Sequence, residues 1–218
     1  MDAPGLDPGV YADVLADLAR VNRWTLAARP TLAFLERAVR GRTGFSLLDV
    51  GFGQGDMLRT IARWASRRGI TAELVGVDLN PRSLAAAHAA TPGSTGVEFR
   101  IGDYRDQAGP FDVIVSSLVA HHMSDEELGD FVRHMEAKAA RGWMINDLHR
   151  HALAHRGYPW LARALRAHPM VREDGTLSIA RSFRPAEWRT ILADAGVPAG
   201  AARVVRRFPF RLCVERLR

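Results

Sequence analysis

Short apolar runs alternate with helical segments through the middle of this chain. Runs typical of buried strands lie at residues 45–50, 72–78, 97–102, 111–116 and 142–147. Apolar spacing, prolines and a capping box predict the helices between them, at residues 56–68, 81–90 and 124–140. Strands that alternate with helices are typical of a parallel sheet with helices on both faces.

The two ends of the chain show other patterns. Residues 10–40 carry apolar stripes at helical spacing and predict helices. Residues 149–167 also have a helical pattern, which Gly157 and Pro159 interrupt, and residues 170–183 are predicted to form a loop. The remaining predicted elements are a helix at residues 185–195 and a closing strand pair at residues 202–207 and 210–216.

The composition indicates a soluble globular protein. A chain of 218 residues with 47% hydrophobic residues suits one domain with a sizeable core. No apolar run is long enough to span a bilayer, and the first ten residues contain acids and prolines where a signal peptide has basic and apolar residues. The single cysteine, Cys213, excludes an internal disulfide and favours a reducing, cytoplasmic setting.

The net charge of +6 is carried almost entirely by arginine, since Lys138 is the only lysine. A basic balance raises the question of a nucleic-acid partner. The arginines are, however, spread along the chain, with short doublets and no basic block with interleaved aromatic residues. A compositional bias toward arginine is therefore the preferred interpretation, and no nucleic-acid partner is expected.

Three glycines at alternate positions follow the first predicted strand, in the stretch LLDVGFGQGDM: Gly51, Gly53 and Gly55. A sheet of this kind binds ligands at the carboxyl ends of its strands, where bare backbone permits close approach. Asp56 stands where a dinucleotide-binding turn has a further glycine. A carboxylate repels the negatively charged pyrophosphate but is compatible with a ligand that carries an amino group and a sulfonium. The turn therefore favours S-adenosylmethionine (SAM) over NAD.

Four motifs in order resemble those of the class I SAM-dependent methyltransferases: LLDVGFGQG, LVGVDLNP, RIGDYRD and FDVIVSSLVAHHMSDEEL. The resemblance implies an α/β fold of Rossmann type, with a seven-stranded, mostly parallel sheet, helices on both faces, an antiparallel last strand and an N-terminal helical cap. It also implies that residues 1–218 form a single domain with four parts. These are an N-terminal helical cap at residues 1–42, a SAM-binding core at 43–147, an acceptor-covering insertion at 148–184, and a C-terminal helix and strand pair at 185–218.

The same resemblance assigns the contacts to the cofactor. In this family the acid that ends the second strand, here Asp78, binds both ribose hydroxyls, and the next residue, Leu79, lies against adenine. Asp103 matches the acid that meets the adenine amino group. The complete set of implied cofactor-binding residues is Asp49, Gly51, Gly53, Gln54, Gly55, Asp78, Leu79, Gly102, Asp103, Tyr104, Ser116, Ser117 and His121.

Two groups of histidines follow the fourth and fifth strands, where an acceptor should sit. Methyl transfer to a hydroxyl benefits from a base, and histidine is the usual one near neutral pH. His121 is assigned to the cofactor pocket, as in relatives with similar pairs, and His122 is kept as a catalytic candidate. His149 is favoured as the general base, with Asp147 as its orienting carboxylate; the alternative is that His149 orients the substrate.

A metal site is not expected, although His151 and His155 are spaced like ligands on one helix face. No third ligand follows at a suitable spacing, and the acidic cluster of magnesium-dependent catechol methyltransferases is absent from the sequence. An apolar lid over the acceptor is predicted from Trp24, Tyr158, Trp160, Leu161 and Met170.

The segment that starts at NDLHRH resembles bacterial methyltransferases of the quinone-biosynthesis-like group. This likeness implies O-methylation of a small, aromatic or polyketide-like hydroxyl acceptor, with S-adenosylhomocysteine (SAH) as the other product. Three alternatives remain open: C-methylation of a quinone-pathway type, an RNA-binding or RNA-modifying domain, and a SAM-binding protein without catalysis. No membrane partner is expected, and neither the acceptor's identity nor the oligomeric state is predicted.

Overall fold

The computed structural model describes residues 7–91 and 93–218. The first six residues, on which the signal-peptide expectation and the start of the predicted cap partly rest, lie outside the described part. The helices within the described part are α1 (Pro8–Trp24), α2 (Ala28–Ala38), α3 (Asp56–Arg67), α4 (Pro81–Ala90), α5 (Asp125–Lys138), α6 (Ala152–Ala164), α7 (Pro169–Arg181) and α8 (Pro185–Asp194). The strands are β1 (Gly44–Val50), β2 (Thr71–Asp78), β3 (Val97–Ile101), β4 (Phe111–Ser117), β5 (Ala139–Leu148), β6 (Ala202–Arg207) and β7 (Arg211–Leu217).

The strands described here form one sheet in the order β3-β2-β1-β4-β5-β7-β6. The pairs from β3 through to β5 are parallel, whereas β7 runs antiparallel to both β5 and β6. The predicted fold class, with its antiparallel last strand, is confirmed. The strand order reverses between β1 and β4, and a ligand site is expected in the crevice at their carboxyl ends.

Helices cover both faces of the sheet. On one face Phe131 of α5 and Trp188 of α8 are fully buried in one apolar cluster with residues of β4, β5 and β7. On the other face Phe34 of α2 and Ile61 of α3 are fully buried in a second apolar cluster with residues of β1, β2 and β4. These two apolar layers hold the strand ends in fixed positions, since close-packed interiors resist displacement.

A third layer of helices is formed by α1, α6 and α7. It has its own apolar cluster, made of Val14, Val21, Ala162, Ala167 and Val171. Asp7 caps α1 by accepting hydrogen bonds from the Gly9 and Val10 backbone N–H groups. The two apolar stripes predicted within residues 10–40 therefore lie on two different helices, because α1 ends at Trp24 and α2 begins at Ala28.

The prediction of a loop at residues 170–183 is wrong, because this segment forms α7. His168 accepts a hydrogen bond from the Met170 N–H, and Pro169 occupies the first helical position. Pro159, predicted to interrupt the preceding helix, lies inside a continuous α6. Packing of α6 against α7 overrides the weak local propensity of both segments.

Gly175 in α7 permits this close packing. A Cβ atom there would overlap the ring of Tyr158, whose hydroxyl donates to the Val171 carbonyl at 2.9 Å.

Gly175→Ala is expected to destabilise the fold by about 1–3 kcal/mol through overpacking, or roughly 2–4 °C in Tm for each kcal/mol. Gly157→Ala in α6 is the matched control, since a Cβ there meets nothing within 4 Å and helix propensity favours alanine by about 1 kcal/mol. Thermal melts of both variants check this, and equal shifts would contradict it.

Candidate functional site

The turn from β1 into α3 is built on left-handed backbone. Gly51, Gly53 and Gly55 have φ values of 81°, 54° and 75°. A Cβ at Gly51 would overlap the Val119 side chain, and one at Gly55 would lie 2.7 Å from the Phe99 ring. Glycine is needed here both for conformation and for space. The turn therefore leaves backbone without side chains beside the switch point of the sheet, where a ligand can approach closely.

Asp78, at the end of β2, is tied to this turn. Its Oδ2 accepts a hydrogen bond from the Gly53 N–H at 2.9 Å, and its Oδ1 accepts one from the Asn80 N–H at 2.8 Å. The carboxylate predicted to bind a ribose thus lies at the junction of β2, the turn and the start of α4.

Three carboxylates cluster around the turn: Asp49, Asp56 and Asp78. Burial raises the pKa of Asp49 to about 8, with smaller contributions from the charges of Asp56 and Asp78. Burial also raises the pKa of Asp56, against the lowering effect of Arg59. Asp49 Oδ1 is buried and has no hydrogen-bond partner among the residues that the structure describes. A cationic ligand at the turn would reduce the repulsion among the three carboxylates and could donate a hydrogen bond to this oxygen.

The raised pKa of Asp49 has a consequence for stability. Because the folded state holds this proton more tightly than the unfolded state, stability is lost as pH rises from the ordinary value of 3.8 toward about 8. We expect the ligand-free Asp49→Asn variant to gain Tm relative to wild type as pH is raised through this window. Melts across the window check the trend, with exposed Asp106→Asn as the control. A pH-independent difference would contradict the assignment.

The residues predicted at the adenine end lie outside the cavities described below. Leu79 is 74% exposed. The Asp103 carboxylate is paired with the Arg105 guanidinium at 2.6 Å, which lowers the pKa of Asp103. The ring of Tyr104 packs against Phe131 in α5, 4.8 Å between centroids. The Gly102 N–H donates to the Asp78 carbonyl at 3.0 Å, so this segment lies beside β2 on an open surface.

The end of β4 contributes mainly backbone to the site. The Ser116 hydroxyl donates to the Val50 carbonyl at 2.9 Å and thereby ties β4 to β1. Leu118 has a φ of 63° although it is not glycine, and its N–H donates to the Asn146 carbonyl at 3.0 Å. Ser117 and Leu118 line both cavities at the switch point. Backbone strain in a non-glycine residue is typical of functional sites.

The predicted pairing of Asp147 with His149 is not what the structure shows. Asp147 Oδ1 lies 2.7 Å from His121 Nδ1, and Asp147 Oδ2 accepts the His121 backbone N–H at 2.9 Å. Both side chains are buried. The pairing arises because His121, in the short turn Ala120–His122 after β4, lies against the end of the neighbouring strand β5. The two residues form a carboxylate–imidazole pair, hereafter the His121–Asp147 pair.

His149 lies apart from the His121–Asp147 pair. Its N–H donates to the Phe210 carbonyl at 2.9 Å, and its ring is 5.5 Å from that of His151. Burial lowers the pKa of His149, and Arg206 adds to the effect. His149 lines neither cavity at the switch point, whereas His121 and the exposed His122 line the apolar one.

Two cavities meet at the glycine turn. The apolar cavity has a volume of about 450 Å³ and lies between the strand ends and the layer of α1, α6 and α7. The second cavity, of about 680 Å³, extends from the turn toward Arg23 and Arg29 beside α2. Gly51, Gln54 and Asp56 border both.

The apolar wall includes only part of the predicted lid. Tyr158 and Leu161 line the apolar cavity, together with Leu15, Leu18, Ile179 and Phe210. Trp24 and Trp160 are 67% and 72% exposed, and with Met170 they are not part of the lining.

Sequence reasoning missed two features of this site: the His121–Asp147 pair and Arg211 at the start of β7. Arg211 is buried and lines the apolar cavity. Nothing in the local pattern marks Arg211 among the arginines of this chain. The antiparallel pairing of β7 with β5, which sets Arg211 opposite Leu148, brings it to the carboxyl edge of the sheet.

Neither a metal site nor a membrane span emerges from the described residues. Across residues 7–91 and 93–218, no three His, Cys, Asp or Glu side chains are grouped so as to hold a metal ion. His151 instead caps α6 by accepting the Leu153 N–H at 3.2 Å. Over the same residues, no helix combines the length and apolarity that crossing a bilayer requires.

Comparison with known proteins identifies relatives. A family model described as a methyltransferase domain matches residues 47–142. A ubiquinone biosynthesis O-methyltransferase from Caulobacter sp. (strain K31) is 30% identical in an alignment 202 residues long. This match covers 83% of this chain and 73% of that protein. A nocamycin O-methyltransferase from Saccharothrix syringae is 40% identical over 97 residues, but these cover 42% of this chain and 34% of that protein.

The fold has counterparts among solved structures. The magnesium protoporphyrin IX methyltransferase of Synechocystis PCC 6803, crystallised with bound SAH, superposes with a TM-score of 0.60 at 19% identity. The match covers 99% of this chain and 90% of that one. It extends beyond the core to the helices that cover the strand ends.

Proposed function

Because the chain belongs to the SAM-dependent methyltransferases, of the small-molecule, quinone-biosynthesis-like type, we propose that it methylates a hydroxyl oxygen of a small acceptor with an apolar body. The observation that supports this most is the His121–Asp147 pair in the wall of an apolar cavity that opens on the glycine turn. The two curated relatives named above are O-methyltransferases, which agrees with transfer to oxygen.

The residues at the turn fit the cofactor. A sulfonium and an ammonium group match the three clustered carboxylates, and the unsatisfied Asp49 Oδ1 provides an acceptor for the ammonium. Asp78 would hold the ribose hydroxyls, while Gly51, Gly53 and Gly55 would let the backbone approach the cofactor. Gln54, Ser117 and Leu118 would border the methionine part, and Leu79, Gly102, Asp103 and Tyr104 the adenine. SAM supplies an electrophilic methyl group.

The chain's own contribution to the chemistry is proton transfer and alignment. Asp147 accepts at His121 Nδ1, so the neutral ring carries its proton there and presents Nε2 as the base. His121 would take up the proton that the acceptor hydroxyl loses, and Asp147 would stabilise the resulting imidazolium. This assignment replaces His149 by His121 as base and keeps Asp147 as the orienting carboxylate.

The third helical layer would cover the acceptor. Residues 148–184, proposed as the acceptor-covering insertion, contain α6 and α7, and both line the apolar cavity with α1. Burial of an apolar acceptor body against these helices contributes roughly 25 cal/mol for each Å² removed from water. Exclusion of water there also strengthens the contact between His121 and the acceptor hydroxyl.

A screen of acceptors tests the proposal. The purified chain is incubated with labelled SAM and with phenolic, quinol and polyketide acceptors, and products are identified by mass spectrometry. A methyl group on oxygen of an apolar hydroxyl compound is the expected product. Transfer to carbon would support the quinone-pathway alternative, and label in added RNA but in no small molecule would contradict the proposal.

A further inference from the structure

Within the described part of the chain, Arg211 is a buried cation without an ion-pair partner. It is 2% exposed, and among the described residues no carboxylate lies within 4.0 Å of its guanidinium. Over residues 7–91 and 93–218, its Nη1 has no hydrogen-bond partner, and its Nη2 reaches only Asn22 Oδ1 and Thr25 Oγ1, each at 3.4 Å. These two contacts are at the outer limit for a hydrogen bond. Buried guanidinium groups are normally paired, because removing an unpaired charge from water is costly.

Carboxylates around Arg211 contribute charge, but none of those in the described part of the chain forms an ion pair with it. Asp147 and Asp56 both interact with it electrostatically, and burial is the main influence that lowers its pKa. Asp147 is committed to the His121–Asp147 pair, and Asp56 to the first turn of α3. Arg211 is the single Arg or Lys among the described residues that line the apolar cavity. It therefore marks the one place in a mostly apolar wall where a cation can bind an anion.

We propose that the acceptor carries a carboxylate in addition to the hydroxyl that is methylated, and that Arg211 binds this carboxylate. The inference rests on the proposed function, because it takes the apolar cavity as the acceptor site. A carboxylate suits the guanidinium fork, which presents parallel N–H donors. A single negative charge matches one cation in a cavity that also contains the acids Asp56 and Asp174. Arg211 thus acts as a specificity residue that also orients the acceptor hydroxyl toward His121.

The carboxylate of the cofactor is a less suitable partner for Arg211. Arg23 and Arg29 border the second cavity, which also adjoins the glycine turn; Arg211 does not line that cavity. Arg211 lies instead with Phe210, Tyr158 and Leu153 on the side of α6 and α7. The two cationic regions are thus separate, one for each of the two anionic groups that the reaction would bring together.

Binding measurements with matched probes test the proposal directly. The probes are a hydroxynaphthoate and the corresponding hydroxynaphthamide, which differ in charge but hardly in shape, and binding is measured in the presence of SAH. Wild type is expected to bind the acid at least about tenfold more tightly than the amide, as a charge-assisted pair implies. Arg211→Gln should abolish this difference, and Arg211→Lys should retain part of it. Arg207→Gln, on the adjacent strand, is the control, because Arg207 pairs with Glu215 and does not line the cavity.

The outcomes separate this inference from the proposed function. Equal or undetectable binding of the two probes by wild type overturns the inference even if neutral hydroxyl compounds are methylated. Loss of SAM affinity in Arg211→Gln also overturns it, since Arg211 would then hold the cofactor. Selective binding of the acid without any methyl transfer supports the inference and contradicts the proposed reaction. If Arg211→Gln does not fold, the wild-type comparison and Arg211→Lys decide.

Discussion

Replacing His121 with asparagine is expected to lower kcat by about 100-fold or more, the range that a positioned general base contributes. The affinity for SAM should stay within about twofold of wild type, because the pair acts on the acceptor proton rather than on the cofactor. The asparagine side chain would still fill the turn between β4 and α5, but it has no group that takes up a proton at neutral pH.

The partner of His121 makes this prediction specific. Asp147→Asn should lower kcat through loss of the orienting carboxylate, since an amide also tolerates the other imidazole tautomer. The double variant is expected to be about as slow as His121→Asn alone, because residues that act as one unit are not additive. Steady-state kinetics with an acceptor found by the screen would measure these effects.

His149→Asn is the matched control. It removes an imidazole of similar burial that lines neither cavity, and its backbone N–H bond to Phe210 is retained. We expect kcat near the wild-type value. A large loss in His149→Asn together with a small one in His121→Asn would restore the assignment that the sequence favours.

Replacing Asp78 with alanine is expected to weaken SAM binding by about 100-fold or more. Two hydrogen bonds from ribose hydroxyls to a carboxylate contribute roughly 1.5–3 kcal/mol each, and about 1.4 kcal/mol corresponds to tenfold in affinity. The substitution also removes the acceptors of the Gly53 and Asn80 N–H groups, which loosens the turn. Asp78→Asn retains one acceptor oxygen and should show a smaller loss.

Isothermal titration calorimetry with SAM measures this loss directly. Asp106→Ala is the control, because Asp106 is an exposed acid near the same sheet edge. Circular dichroism of Asp78→Ala should match wild type, since Asp78 lies at the end of β2 and outside the apolar core. Unchanged affinity in a folded Asp78→Ala variant would refute the ribose assignment.

The glycine turn shows how far local sequence determines the site. Three glycines after a buried strand specify left-handed backbone, and the structure has it at Gly51, Gly53 and Gly55. Similarly, Pro81 at the first position of α4 and the capping box at Ser124 place two helix starts correctly. Such signals act over a few residues, so they can be detected without knowledge of the fold.

The sequence by itself therefore determined the alternation of strands and helices, the glycine turn and the acids beside that turn. These features depend on the period of the hydrophobic pattern, on turn residues and on helix capping, all of which act locally. Only the tertiary structure decided that Asp147 pairs with His121 rather than with His149, and that Arg211 enters the apolar cavity. It also decided that residues 169–181 form a helix against α6. Each of these depends on contacts between segments distant in sequence, whose distances are set by sheet order and register and by helix packing.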